Sequence, residues 1–397
     1  MRVYFAPCGI ALGHAGRCIP IARALRSKGD MVFFSTYGEA VQFVTKASFP
    51  VGEVPPISVF EKENGEFDLR RTLSIGPKNL YSFALQVGAE LSLIEHFKPD
   101  VVVSDSRLST VLAARMRRIV SVLMLHQLRI MIPHKRPITQ KSKLMMKRTL
   151  ERLGLEVFGS LWKMSKLIVV PDFPPPYTIA KTNVVPSNQY LKKIRLVGPV
   201  IPKYPGELPE QDELKRSLGF DDRPLIFAAI SGTKAEKMMI TKELAEIFRD
   251  FPGGYNIVLS RGLSDLPHSE ITINGGRLRI YNWVDDRYKY LKACDLLVTR
   301  GGHNTVGEAI YYGKPMVVIP TIAHSEHQGI AESVERMMIG KKIQQYALSR
   351  ETLFQAVDEI MRSDFYSRNI SAAQRFAKNF NAVESIAKIT REVAGKL

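Results

Sequence analysis

The sequence predicts an α/β protein built from two doubly wound domains. Three observations carry this. Apolar runs of strand length, such as Val101–Val103 and Leu296–Val298, are followed by polar or glycine-bearing turns and then by helical periodicity. The alternation stops at a proline-rich stretch, Gly198 to Gln211, holding Pro199, Pro202, Pro205 and Pro209, and restarts beyond it. A chain of 397 residues suits two domains better than one.

In order, Arg2 to Ala6 is the first strand, Gly9 to Arg17 a glycine-bearing loop, Pro20 to Ser27 a helix closed by Lys28-Gly29-Asp30, and Met31 to Ser35 a second strand. This is a βαβ opening. Its glycines fit a dinucleotide fingerprint poorly, and the acidic residue expected after the second strand would be Glu39, which lies late. Phe49 to Asn79, with prolines and charges, reads as loops. Leu80, Ala84, Val87, Leu91 and Ile94 have helical spacing. Pro99 to Asp105 is a buried strand ending in an aspartate, Ser109 to Arg118 a helix, and Ile119 to Leu125 a strand with His126 at its end.

Lys135 to Lys166 carries Met146, Leu150, Leu153, Val157 and Leu161 at helical steps, with Lys141, Lys143, Lys147, Arg148 and Arg152 clustered at the start. Two readings stand: an amphipathic element on anionic lipid, or a core-packed helix with a solvated basic face. Leu167 to Pro171 is a further strand. Past the proline-rich linker come strands at Leu225–Ile230, Asn256–Ser260 and Leu278–Tyr281, and Ser231-Gly232-Thr233 turns into a helix with Leu244, Ile247 and Phe248. Ser371 to Val393 reads as a helical tail.

Composition narrows the partners. Residues 1–198 hold 29 Lys+Arg against 14 Asp+Glu, a balance of +15, whereas 199–397 hold 27 against 25, a balance of +2. The excess therefore points to something acidic meeting the first half, such as an anionic membrane or phosphorylated acceptor. Nucleic acid is the least expected partner, since no basic motif is interleaved with aromatics. No apolar run approaches the ~20 residues that span a bilayer. The N-terminus breaks into glycines too early for a secretory leader. Cys8, Cys18 and Cys294 have no metal-ligand spacing, so a reducing cytoplasm is expected.

The chemistry concentrates in Thr299 to Gly313, TRGGHNTVGEAIYYG, which follows the Leu296–Val298 strand. Gly301-Gly302 makes a tight turn, and Asn304 or Thr305 is placed to cap the next helix. Strand, glycine turn and helix N-terminus together form an anion site, with unpaired amides and a positive dipole end. Arg300 is expected to add a fixed charge beside a phosphate, and Glu308, one turn in, to accept from a ribose hydroxyl. Met316–Pro320 is the next strand, and Thr321 to Gln328 the loop beyond it. Two consecutive strands thus deliver two ligand loops to one sheet edge.

The segment Trp283 to Gln328 resembles the nucleotide-diphosphate signature of GT-B glycosyltransferases. Arg300 through Glu308 is similar to the lipid-linked N-acetylglucosaminyltransferase of peptidoglycan synthesis. Gly301-Gly302, Asn304 and Glu326-His327-Gln328 are similar to the UDP-glycosyltransferases of small lipophilic molecules. Arg300 and His303 stand where the second branch has a His and a Trp, so the donor sugar stays open. The resemblance implies two Rossmann-like domains facing a cleft. Residues 1–198 bind the acceptor, 199–375 the nucleotide-sugar donor, and the helix of 376–397 returns to the first domain. It implies an inverting, metal-independent transfer from a UDP-sugar, with no further cofactor, to a lipid-linked or otherwise anionic acceptor at the membrane surface.

His14 is the leading base, oriented by Asp105; Asp105 alone or His126 are alternatives. Gly13, Arg17 and His126 belong to the acceptor-side loop. On the donor side stand Ser231, Gly232, Thr233, Trp283 (uracil stacking or core), Val284 (backbone to the base edge), Arg300, Gly301, Gly302, His303, Asn304, Thr305, Glu308, Glu326, His327 and Gln328. Asp285-Asp286 reads as loop and capping rather than a metal site. The competing classes are a UDP-sugar 2-epimerase of the same fold and a non-catalytic nucleotide-sugar-binding partner subunit. The first needs more acidic residues around the sugar, and the second would lack the His14–Asp105 pair.

Overall fold

The computed structural model describes residues 1–10, 12–57, 76–125, 127–129, 140–182, 184, 191–263, 266–267, 270–273, 277–322 and 324–395. Its first sheet contains β1 (Arg2–Pro7), β2 (Met31–Thr36), β3 (Val51–Glu53), β4 (Val101–Asp105), β5 (Val120–Met124), β6 (Leu167–Val170) and β7 (Ile194–Leu196). They lie in the order β3-β2-β1-β4-β5-β6-β7, paired in parallel. Strand periodicity divides the core. Val3 and Phe5 face α1 (Gly13–Ser27) in one cluster; Tyr4 and Ala6 meet Val87 and Ile94 of α3 (Gly76–Phe97) and Ala113 of α4 (Leu108–Met116) in the other. Between β2 and β3 lies α2 (Glu39–Lys46), so Glu39 opens a helix and ends no strand.

The second sheet contains β8 (Leu225–Ala229), β9 (Asn256–Ser260), β10 (Glu270–Ile273), β11 (Leu278–Tyr281), β12 (Leu296–Thr299), β13 (Met316–Val318) and β14 (Gly340–Lys342). Their order is β10-β11-β9-β8-β12-β13-β14, with an antiparallel pair at β10–β11. The helices are α6 (Gln211–Ser217), α7 (Lys234–Arg249), α8 (Arg287–Ala293), α9 (His303–Tyr312), α10 (Ser325–Arg336), α11 (Arg350–Arg362), α12 (Asp364–Ala377) and α13 (Ala382–Val393). In each sheet the winding reverses once, between β1 and β4 and between β8 and β12. Chain leaving those strand ends diverges to opposite faces and opens a crevice, where open α/β sheets bind ligands.

Several local expectations change. The glycine-bearing loop is shorter than expected, because α1 starts at Gly13 and contains Pro20 in its interior. Burial of Ala15, Cys18, Ile19, Ile21, Ala22 and Leu25 along one stripe outweighs the lost proline hydrogen bond. The tail is two helices, α12 and α13. Ala382, Ile386 and Ala387 of α13 pack into the first core, and Arg391 pairs with Asp30 at 3.2 Å. Near the linker, Val200 lies in the first core and Ile201 in the second. Phe173 and Ile179 also pack in the second core, though they precede residue 198. Asp172 turns that segment: its carboxylate accepts from the amides of Phe173, Ile179 and Ala180 at 2.6, 2.9 and 2.8 Å.

The basic helix, α5 (Lys141–Trp162), is not core-packed along its apolar stripe. Met146, Leu150, Leu153 and Val157 are 61, 49, 58 and 61% exposed. Contact with the domain runs instead through Trp162 and Leu155, beside Val111, Leu123 and Leu128. Of the basic residues, Lys147 pairs with Glu151 at 3.4 Å, and Lys141, Arg148 and Arg152 line a shallow groove with Leu144 and Met145. At ~100° per residue this groove faces away from the stripe. Among the described residues, no helix is long and apolar enough to cross a membrane.

Candidate functional site

The first half of the site is made by strand register. Pro7 of β1 lies opposite Asp105 of β4, so the turn into α1 stands beside the Asp105 carboxylate. His14, the second residue of α1, places Nδ1 2.9 Å from Asp105 Oδ1. Arg17, three residues on along the same face, donates Nε to Asp105 Oδ2 and Nη2 to Oδ1, both at 2.5 Å. Ser106 Oγ adds a third donor to Oδ1 at 3.2 Å, from a residue held at φ 60°, a left-handed conformation that is strained without glycine. Burial alone would raise the Asp105 carboxyl, but the charges and hydrogen bonds of Arg17 and His14 outweigh it and hold the group well below the carboxylate range. His14 keeps 19% of its side chain exposed, whereas Asp105 has none.

Arg17 corrects the expectation. It was assigned to the acceptor-side loop, yet it is buried and tied to Asp105. A cation three residues from His14 faces whatever that turn of α1 faces, and here it is a buried anion. Gly13 is exposed at the helix start. His126 lies outside the described residues.

The second half lies at the reversal of the other sheet. Gly302 is the N-cap of α9 with no side-chain cap, so the first amides of the helix have no capping acceptor of their own. This revises the capping role expected of Asn304 or Thr305: both lie within α9. Gly301 has φ 83°, and a Cβ there would stand 2.9 Å from Val318 Cγ1. A Cβ at Gly302 would stand 3.2 Å from Ser231 Oγ, so the turns after β8 and β12 face each other. Asn304 Nδ2 donates to Gly13 O at 3.2 Å. The starts of α9 and α1, one from each domain, therefore meet.

Other donor-side residues are engaged elsewhere. Arg300 is fully buried, donating to Thr321 Oγ1 at 2.6 Å and Gln345 Oε1 at 2.9 Å, instead of standing open beside a phosphate. Burial brings its guanidinium down to about 10, against the attraction of Glu236 and Glu243. Glu308 is buried, and its Oε1 accepts from Arg287 Nη2 and Tyr288 OH at 2.5 and 3.0 Å. His303 turns from the cleft to Asp172, Nε2 to Oδ2 at 3.2 Å. Thr233 caps α7, and Glu236 Oε2 accepts from its amide at 2.9 Å, so a capping box occupies that helix start; a Cβ at Gly232 would meet the same oxygen. His327 Nδ1 meets Thr321 Oγ1 at 3.0 Å, and burial, then His324, push the ring well below the usual histidine range. Gln328 and Gln344 exchange amide hydrogen bonds at 3.2 and 3.0 Å.

Glu326 reaches across the cleft, accepting from Gln127 Nε2 at 2.7 Å. Trp283 is half-buried, while Val284 is packed in the second core, which leaves its backbone role untouched. Thr305 is nearly buried behind Gly302. Asp286 pairs with Lys203 at 2.9 Å. Sequence reading missed Thr321, Gln345, Gln127 and Asp172. Only Asp172 left a signal, as a second aspartate just past a buried strand.

Two doubly wound domains with the starts of α1 and α9 facing each other define the class of fold. Residues 232–388 match the glycosyltransferase family 28 C-terminal domain, and residues 1–188 match glycosyl transferase family 1. An uncharacterized glycosyltransferase of Methanosarcina mazei is 27% identical over 396 residues, covering 100% of this chain and 99% of the relative. The solved glycotransferase of kitacinnamycin superposes with TM-score 0.72 at 18% identity, over 99% of this chain and 98% of that one. MurG of Acinetobacter baumannii superposes with TM-score 0.63 at 15% identity, over 98% and 99%. The two matches together span most of the chain, and its fold is that of the GT-B glycosyltransferases.

Proposed function

We propose that this glycosyltransferase moves a sugar from a UDP-sugar to a hydroxyl of a lipid-linked acceptor, with inversion, at an anionic membrane surface on the cytoplasmic side. The observation that carries the reading is the contact of Asn304 with Gly13, which sets the uncapped start of α9 against the His14–Asp105 pair. The donor diphosphate lies on the first amides of α9, where the helix dipole stabilises the leaving group's charge in place of a metal ion. Trp283 offers a half-buried ring to uracil. The acceptor hydroxyl gives its proton to His14, and its oxygen bonds to the anomeric carbon. The bond from that carbon to the diphosphate breaks, and its electron pair leaves with the diphosphate. One displacement inverts the centre. The +15 balance of residues 1–198 and the exposed stripe of α5 support the membrane surface.

The test is a panel of UDP- and TDP-sugars, scored for nucleotide release and for sugar products by NMR. Slow hydrolysis of one or more UDP-sugars, abolished in His14→Ala while UDP still binds, is the expected result. No binding of either nucleotide refutes the donor assignment. An epimerised nucleotide-sugar, with no transfer, moves the chain to the epimerase class.

A further inference from the structure

The His14–Asp105 pair does not stand alone. Asp105 Oδ1 receives Arg17 Nη2, His14 Nδ1 and Ser106 Oγ, while Oδ2 receives Arg17 Nε. The same Nη2 lies 2.9 Å from His14 Nδ1. Two N–H donors cannot share one hydrogen bond, so these contacts leave two arrangements. Either Nδ1–H donates to Asp105 and Arg17 Nη2 directs its protons to the carboxylate, or Arg17 donates to an unprotonated Nδ1 and the ring proton sits on Nε2. Only the first leaves Nε2 able to accept a proton. The 2.9 Å contact of Nδ1 with Asp105 Oδ1 favours it, because in the second arrangement two acceptors would face each other there.

We infer that Arg17 is a positioning residue of the transfer reaction: its guanidinium keeps Asp105 a paired anion, commits His14 as the base with its proton on Nδ1, and moderates how strongly Asp105 draws a second proton onto the ring. This deepens the proposed function and rests on it for the transfer step. The surrounding groups agree. Cys18 on α1 lies 3.8 Å from Asp105 Oδ2, and burial first, then Asp105, raise its thiol, so it brings no competing charge. Across the cleft, the Glu326 carboxylate bears on Arg17 and accepts from Gln127. Asn304, on the same side as Glu326, is neutral and bonds to Gly13 O. Asp105 therefore contacts His14 directly, and Arg17 offsets its charge. An unpaired buried carboxylate at that distance favours an imidazolium more strongly than one already paired with a guanidinium.

The experiment follows the ring of His14 by NMR in the full chain labelled with ¹⁵N-histidine. His14→Gln assigns the signal. No donor or acceptor is present, so the outcome is independent of whether the sugar assignment holds. In the native protein the neutral ring is expected to carry its proton on Nδ1. In Arg17→Gln the titration midpoint is expected to rise by about one pH unit or more, and in Arg17→Lys to rise less, because the charge remains. The acid limb of kcat/KM then moves up with the midpoint in Arg17→Gln. An unmoved or lowered midpoint in a folded Arg17→Gln overturns the inference. If that variant does not fold, the native tautomer decides: a proton on Nε2 of the neutral ring overturns the inference, and one on Nδ1 sustains it.

Discussion

Replacing Met146, Leu150, Leu153 and Val157 together by glutamine is expected to leave the fold intact and to abolish binding to anionic vesicles. Full burial of such side chains is worth ~1.5–3 kcal/mol each. At 61, 49, 58 and 61% exposure, about half of that is in play at each position. The sum is roughly 3–5 kcal/mol, and part of it is contact within α5 itself. Glutamine nearly matches leucine and methionine in helix propensity, so the helix persists. A core stripe would behave otherwise: four truncations at ~2–5 kcal/mol each would exceed the ~5–15 kcal/mol that holds a domain. Urea denaturation measures the first quantity, and vesicle sedimentation the second. Native binding is expected to be stronger to anionic than to neutral vesicles and to weaken with salt, since screening acts within ~8 Å at physiological ionic strength. Unfolding of the four-fold variant would refute the exposed-stripe argument. Undiminished vesicle binding by a folded variant would remove α5 as the contact.

The remaining predictions concern the site and its supports. Gly302→Val is expected to weaken UDP binding at least tenfold in calorimetry, because the first side-chain atom already lies 3.2 Å from Ser231 Oγ; unchanged affinity would displace the nucleotide from the α9 turn. Arg300→Ala is expected to cost on the order of 1–3 kcal/mol in urea melts by leaving Thr321 and Gln345 without their buried donor; a change in UDP affinity at unchanged stability would restore a direct phosphate role. His327 is held neutral by burial, so the unfolded chain binds a proton that the fold refuses below pH ~6.5, and stability falls on acidification there by up to ~1.4 kcal/mol per pH unit. His327→Gln should flatten that slope, and an identical slope in the variant would show that another group titrates. Ile386→Ala, fully buried where α13 joins the first core, is expected to lower stability by ~2–5 kcal/mol, read from the denaturation midpoint; a midpoint unchanged would mean that α13 contributes little.

Period and punctuation made much of the fold legible. The strand of Leu296–Thr299, the turn at Gly301-Gly302 and the helix after it are properties of neighbouring residues, and the structure contains them. The short strands Val51–Glu53, Ile194–Leu196 and Gly340–Lys342 were not legible, because three residues show no period and, unlike Met316–Val318, they form no continuous apolar run. Thr321 and Gln345 left no mark either, since they matter only through a buried guanidinium 21 and 45 residues away.

By itself the sequence determined where strands, glycine turns and helices alternate, that the cationic excess lies before residue 198, and that His14 and Asp105 sit at strand-end turns. Tertiary structure alone decided which charges meet. Arg17 finds Asp105 across 88 residues because β1 and β4 are register partners, and Arg300 turns inward because Thr321 and Gln345 converge behind β12. A buried charge takes its partner from the strands that happen to adjoin it, as desolvation penalises any other arrangement by several kcal/mol. The stripe of α5 shows the same division: its period was written in the chain, but only packing through Leu155 and Trp162 left that face to the solvent.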